Sequence, residues 1–187
     1  MNEQNHTPSA AQQTRAYAGY YGLWVGACWI ACFSLFMAGL TQPLLSNVGL
    51  LVGLASLPLA VWLLRGFRDH VAPLPLRRAW YLAWMTFGAA ALLCTAAQYI
   101  YFAYIDGGHL MRAYTDMLQQ PEVHDMLQQM LSGQDVDALT SQALDAFAST
   151  PPSELAIQFL FWNILLATVV AFPTALFSFS RPTTPKP

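Results

Sequence analysis

DGGHLMRAYTDMLQQPEVHDMLQQMLSGQDVDALTSQALDAFASTPPSE, residues 106–154, is the one long polar stretch between the apolar runs of this sequence. It holds eight of the ten acidic residues, and long apolar runs flank it on both sides. Acidic side chains are costly in a hydrocarbon layer, so we expect this stretch outside a membrane and the flanking runs inside it. The sequence therefore predicts an all-α integral membrane protein, a bundle of four transmembrane helices with a helical extramembrane insertion between helices 3 and 4.

The composition supports a lipid environment. Apolar residues make up 56% of the 187 positions and charged residues 10%, well below the share of charge in soluble domains. The net charge of −2 and the lack of a dense basic face indicate no nucleic-acid partner. Cys28, Cys32 and Cys94 all lie in apolar runs, which is typical of small buried residues rather than of a redox pair or a zinc site.

Four apolar runs are long enough to span a bilayer. The first would extend about 36 Å as a helix, so it is interpreted as an uncleaved span rather than as a signal peptide. Pro58 predicts a kink in the second span, and Thr150 followed by two prolines predicts an N-cap and first turn for the fourth. The single membrane domain covers 17–181, with spans at about 17–40, 44–64, 79–105 and 154–179. A helical cap at 106–153 joins spans 3 and 4, and the flanking tails are 1–16, expected to be disordered, and 182–187.

Small residues repeat along one face of two spans. Ala18, Gly22 and Gly26 recur at four-residue intervals in the first span, and Gly49 and Gly53 form a second pair in the next. Such faces let another helix approach closely, so we expect the protein to associate through them.

The basic residues predict the orientation. With four spans, seven of the eight lysines and arginines fall on one side of the membrane, and only Arg112 falls on the other. Positive charge favours the cytoplasmic side, which places both termini there and the cap outside. The topology is set mainly by the basic loop 65–78, through Arg65, Arg68, Arg77 and Arg78; Arg15, Arg181 and Lys186 lie on the same side.

The apolar residues of the cap follow helical spacing in three stripes, broken at Pro121 and at Ser132–Gly133. Interfacial helices are usually rich in lysine and arginine, whereas these carry acids, so we favour packing over the bundle. The second interpretation is a methionine-rich face that binds a partner, formed by Met117, Met126 and Met130.

Few polar side chains lie inside the spans. Gln98, Gln158 and Asn163 are candidate interhelical contacts, and Thr95 and Thr168 could bond in the same way. Asp106 and Glu154 mark the cap-side ends of spans 3 and 4, where a shared cation or proton site is a weaker alternative to helix capping. His109 and His124 are interpreted as solvent-exposed. The sequence predicts no metal ligands, no catalytic residues and no cofactor site.

Five segments carry a family resemblance over roughly residues 15–181. They are YYGLWVGACWIACFSLFMAGL (20–40), RGFRD (65–69), QYIYFAYIDGGHL (98–110), MLQQPEV (117–123) and PPSELAIQFLFWNILL (151–166). These resemble the small bacterial membrane proteins of the domain of unknown function 4199 family. The resemblance implies a four-span protein of a Gram-negative bacterium, with a helical external loop between spans 3 and 4. In such a cell the orientation expected from the basic residues places the protein in the inner membrane and the loop in the periplasm. It implies no activity and supplies no catalytic residues.

The leading function hypothesis is a non-enzymatic structural or partner-binding component of the bacterial cytoplasmic membrane. The alternative is a small oligomeric transporter or channel, with a path lined by Gln98, Gln158 and Asn163. An enzyme has the least support. The expected partners are the lipid bilayer and either further copies of this chain or another membrane protein.

Overall fold

The computed structural model describes residues 9–71, 73–131 and 135–180. Within these residues the chain is all α-helical, and four helices are long and apolar enough to cross a membrane, as predicted. The helices are α1 (Ala10–Gly39), α2 (Pro43–His70), α3 (Leu76–Ile100), the π-turn (Tyr101–Ile105), α4 (His109–Leu118), α5 (Pro121–Met130), α6 (Val136–Ala148) and α7 (Pro152–Ser178). The four long helices are α1, α2, α3 with the π-turn at its end, and α7, whereas α4 to α6 form the cap.

The ends of the long helices differ from the predicted ones. Helix α1 begins at Ala10, inside the expected tail 1–16, because Ser9 and Gln12 form a reciprocal capping box. Helix α2 continues to His70 and α3 begins at Leu76, so nine of the fourteen residues of the predicted basic loop 65–78 are helical. The N-cap of α7 is Pro151 rather than Thr150, whose hydroxyl instead bonds back to the Ala146 carbonyl of α6.

The four long helices form a bundle that is tighter on one side than on the other. Helix α1 packs extensively on α2 and α3, α3 packs on α7, and the α2–α7 contact that closes the ring is much smaller. Fully buried side chains from three helices fill the centre, among them Val25, Leu64 and Phe87.

The small-residue faces are occupied within the chain itself. A Cβ added to Gly22 would lie 2.6 Å from the Ala89 Cβ and 3.0 Å from the Thr86 carbonyl oxygen of α3. A Cβ on Gly49 would lie 3.1 Å from the Cys32 carbonyl oxygen of α1. The expectation that these faces mediate association between proteins therefore needs correction, because they hold α1 against its own neighbours.

The cap consists of three amphipathic helices, and the rings of Tyr114 and Phe147 stack between α4 and α6 with centroids 6.2 Å apart. These helices make their main contacts with one another and not with the four long helices. The expected packing across the bundle is therefore not what the described residues show. The predicted break at Pro121 separates α4 from α5, whereas the one at Ser132–Gly133 lies outside the described residues.

Candidate functional site

Two of the three predicted interhelical polar residues meet between α3 and α7. The Asn163 Nδ2 donates a hydrogen bond to the Gln98 Oε1 at 3.2 Å. Gln98 is only 4% exposed, whereas Gln158 lies one turn earlier on α7 with its side chain on the exposed surface. Gln158 therefore does not join this pair. Thr95 and Thr168 each bond to a carbonyl one turn earlier in their own helix, and Thr168 also accepts from the Trp84 indole.

Gln98 and Asn163 line a cavity of about 460 Å³ that all four long helices enclose. Its walls are mostly apolar and include Trp29, Cys32, Gly53 and Cys94. The cavity lies in the half of the bundle nearer the cap. Leu54 of α2 and Leu166 of α7 also line it and are 54% and 50% exposed, so its mouth opens sideways between α2 and α7. We call it the lateral cavity.

The polar atoms of the lateral cavity are not all satisfied by the protein. The Trp29 Nε1 donates to the Ser56 Oγ at 3.2 Å, and that hydroxyl donates to the Gly53 carbonyl at 2.6 Å. The Gln98 Oε1 accepts from Asn163, and no hydrogen bond joins the Gln98 Nε2 to another described residue. A nearly buried amide thus keeps free donor capacity at the cavity wall.

A second cavity of about 450 Å³ continues the same gap away from the cap. It shares Leu57 and Val170 with the lateral cavity. Pro58 of α2 and Pro173 of α7 both line it, and each proline lacks the N–H that would complete its helix. The gap between α2 and α7 is therefore a long furrow in the bundle wall.

Three of the four arginines predicted to set the topology make contacts that the sequence did not reveal. The Arg78 Nε donates to the Thr14 Oγ1 at 2.9 Å, and its guanidinium lies 5.2 Å from the Phe67 ring centre. The Arg65 Nε donates to the Phe177 carbonyl at 3.0 Å, near the C-terminal end of α7. Arg68 pairs with Asp69 at 2.7 Å, and the neighbouring Arg77 is exposed. Arg181 and Lys186 lie outside the described residues.

The two acidic candidates lie at the starts of helices and do not meet in a shared site that the described residues show. Asp106 accepts from the Gly108 and Leu110 amides at 3.0 Å each, so it caps the start of α4, while Glu154 is exposed in the first turn of α7. The described residues contain no group of three potential metal ligands.

Both cap histidines are half-buried rather than solvent-exposed as expected. The His109 Nε2 lies 3.4 Å from the Met37 carbonyl oxygen of α1, and the His124 Nε2 lies 3.0 Å from the Gln128 Nε2. The first contact links the start of α4 to the end of α1, and the second stays within α5.

The cap exposes a set of large apolar side chains, which we call the cap surface. Met117 is 40% exposed, Met126 59%, Met130 74% and Tyr114 50%. Eight acidic residues and a single arginine lie in the same stretch of chain, 106–154. The cap surface therefore belongs to a strongly acidic stretch of the chain.

The comparison with known families gives one match. A family model described as Protein of unknown function (DUF4199) matches residues 20–178, well over half of the chain. No curated protein and no solved structure gives a significant match.

Proposed function

We propose that this chain, which belongs to the DUF4199 family of proteins of unknown function, is a non-enzymatic, partner-binding component of a bacterial cytoplasmic membrane. Both termini are cytoplasmic and the cap lies on the outer, periplasmic side. The arginines support this orientation, because Arg15, Arg65, Arg68, Arg77 and Arg78 lie at the end of the bundle away from the cap.

One observation carries the proposal: the cap helices pack on each other and leave the cap surface uncovered. Three methionines and a tyrosine exposed on two short helices are typical of a protein-binding surface, since methionine adapts to different partners. A helix lying on anionic lipid would need lysines and arginines, whereas this stretch has Arg112 alone.

The charge of the cap indicates the kind of partner. Residues 106–153 hold seven acidic residues, so two copies of the cap would bring two sets of negative charge together, and like charges across an interface oppose binding. The partner is therefore a different protein on the same side of the membrane. It has an apolar contact surface surrounded by lysines and arginines.

The transporter or channel alternative has weaker support. Gln98 and Asn163 do share a cavity, but they bond to each other, and the rest of the cavity wall is largely apolar. Gln158 does not line that cavity. An ion or polar solute crossing the bundle would need more polar groups than the lateral cavity offers.

The test is site-specific photo-crosslinking in living cells. A photo-reactive amino acid at position 126 should give one defined adduct with another protein. The same photo-reactive amino acid in place of Trp62, which is 69% exposed on α2, should give lipid adducts only. Met130→Glu should weaken the protein adduct at least several-fold, because it removes an apolar contact. The double change Glu122→Gln with Asp125→Asn should do the same, because it removes two negative charges that attract a basic partner. Adducts to lipid or to a second copy alone at position 126, or an adduct that neither variant weakens, would contradict the proposal.

A further inference from the structure

The Gln98 side chain points to a ligand in the lateral cavity. It is 4% exposed, its oxygen accepts from Asn163, and its Nε2 has no acceptor among the described residues. Gln98 lines the cavity, so this donor can reach a molecule held there. An acceptor atom on a molecule inside the cavity would satisfy it.

The surroundings of the cavity indicate what that molecule is. Its mouth lies between Leu54 and Leu166, on the outer surface of helices that are apolar enough to cross a membrane. At this depth the medium outside the mouth is hydrocarbon rather than water. A volume of about 460 Å³, apolar walls and one or two polar groups are typical of a site for a largely hydrophobic ligand.

The depth of Gln98 agrees with a lipid chain that enters near its polar end. Gln98 lies about 12 Å along the helix from Asp106, taking about 1.5 Å per residue. The polar layer on each side of the hydrocarbon core is about 5–8 Å thick. The amide therefore lies just inside the hydrocarbon boundary on the cap side, close to the level at which the chains of a phospholipid join its headgroup.

We infer that the lateral cavity binds one acyl chain of a bilayer phospholipid, which enters between α2 and α7. Its ester carbonyl accepts a hydrogen bond from the Gln98 Nε2, and its hydrocarbon tail extends past Trp29. The site is separate from the cap surface and from its protein partner. It makes the bundle a specific lipid-binding unit.

Trp29 provides a probe of this site. It is 8% exposed and lines the cavity, whereas the five other tryptophans face the outside of the bundle and are at least 41% exposed: Trp24, Trp62, Trp80, Trp84 and Trp162. The full chain with these five changed to Phe is reconstituted into vesicles of phosphatidylcholine brominated at mid-chain. A chain in the cavity brings bromine to Trp29 and should quench its fluorescence strongly.

Two neighbouring valines on α7 give a matched pair of variants. Val170 lines the cavity and is half-buried, while Val169 does not line it and is 64% exposed. Val170→Phe should reduce the quenching by at least half, and Val169→Phe should leave it unchanged, with equal helical content in both. No quenching of Trp29, or an equal effect of the two variants, would overturn the inference.

The role of the Gln98 amide is tested by comparing an ester-linked with an ether-linked brominated lipid, both on the unchanged protein and on Gln98→Leu. The ester-linked brominated lipid should quench Trp29 several-fold better than its ether-linked analogue, which lacks the carbonyl acceptor. Gln98→Leu should remove this preference. An equal response of the unchanged protein to the two lipids would overturn the carbonyl contact, and a preference that survives in Gln98→Leu would do the same.

Discussion

Arg77 and Arg78 carry the same charge at adjacent positions but have different surroundings. Arg77 is exposed, whereas Arg78 donates to Thr14 of α1, lies over the Phe67 ring of α2 and reaches the Pro73 carbonyl at 3.5 Å. One guanidinium at the start of α3 thus joins two other helices. A hydrogen bond from a charged group and a cation–π contact both depend on the planar guanidinium.

Changing Arg78 to Gln should therefore lower the free energy of unfolding by about 1.5–3 kcal/mol, because it removes both contacts. Arg77→Gln should lower it by less than about 0.5 kcal/mol, as is usual for an exposed position. The two variants lose the same positive charge, so they affect the topology signal equally. Thermal unfolding in one detergent measures the difference, and equal losses would show that Arg78 acts through charge alone.

At the scale of the residue, the sequence identifies polar groups but not their partners. Gln98 and Asn163 stand out in apolar runs, and Gln158 stands out equally. Which of them bond depends on the rotation of α3 and α7 about their axes, and α7 is apolar on all sides. With no polar face to fix that rotation, the sequence could not predict that Gln98 meets Asn163 and that Gln158 remains exposed.

At the scale of the element, the close approach of α1 and α3 holds one side of the bundle together. Gly22 faces α3 so closely that a Cβ would meet both a side chain and a backbone oxygen, while Gly19 has no atom within 4 Å of its would-be Cβ. These two glycines of one helix therefore differ in whether a methyl group fits.

Gly22→Ala should destabilise the bundle by about 1–3 kcal/mol, since α1 and α3 must move apart to admit the methyl group. Gly19→Ala should be neutral or slightly stabilising, because alanine is the better helix former. Thermal unfolding of the two variants in parallel provides the measurement. A fall in stability of the same size for both would mean that the helices are not packed as described.

The elements themselves were largely predictable, and their ends were not. Apolar runs long enough to span a bilayer gave the four long helices, and helical spacing gave the three helices of the cap. The second span was predicted to end at residue 64, where the apolar run stops. Charged residues do not by themselves end a helix, so α2 continues through Arg65 and Arg68 to His70. The π-turn at Tyr101–Ile105 has no sequence signal that we recognise.

At the scale of the whole molecule, the bundle has a closed side and an open side. Helices α1 and α3 are joined along most of their length, whereas α2 and α7 leave the furrow that contains the lateral cavity. The sequence could not predict this asymmetry, because lipid chains and a protein core are equally apolar and leave similar residue patterns on a helix. For the cap, the sequence left two alternatives: packing over the bundle, or an exposed methionine-rich face.

With four spans, we expect the cap on the opposite side of the membrane from the basic end of the bundle. Single cysteines at His70 and at Met130, in a chain whose three native cysteines are changed to Ala, test it most directly. In right-side-out membrane vesicles, a maleimide reagent that cannot cross the membrane should label position 130 at once and position 70 only after permeabilisation. Labelling of position 70 before permeabilisation, or no labelling of position 130, would contradict this topology.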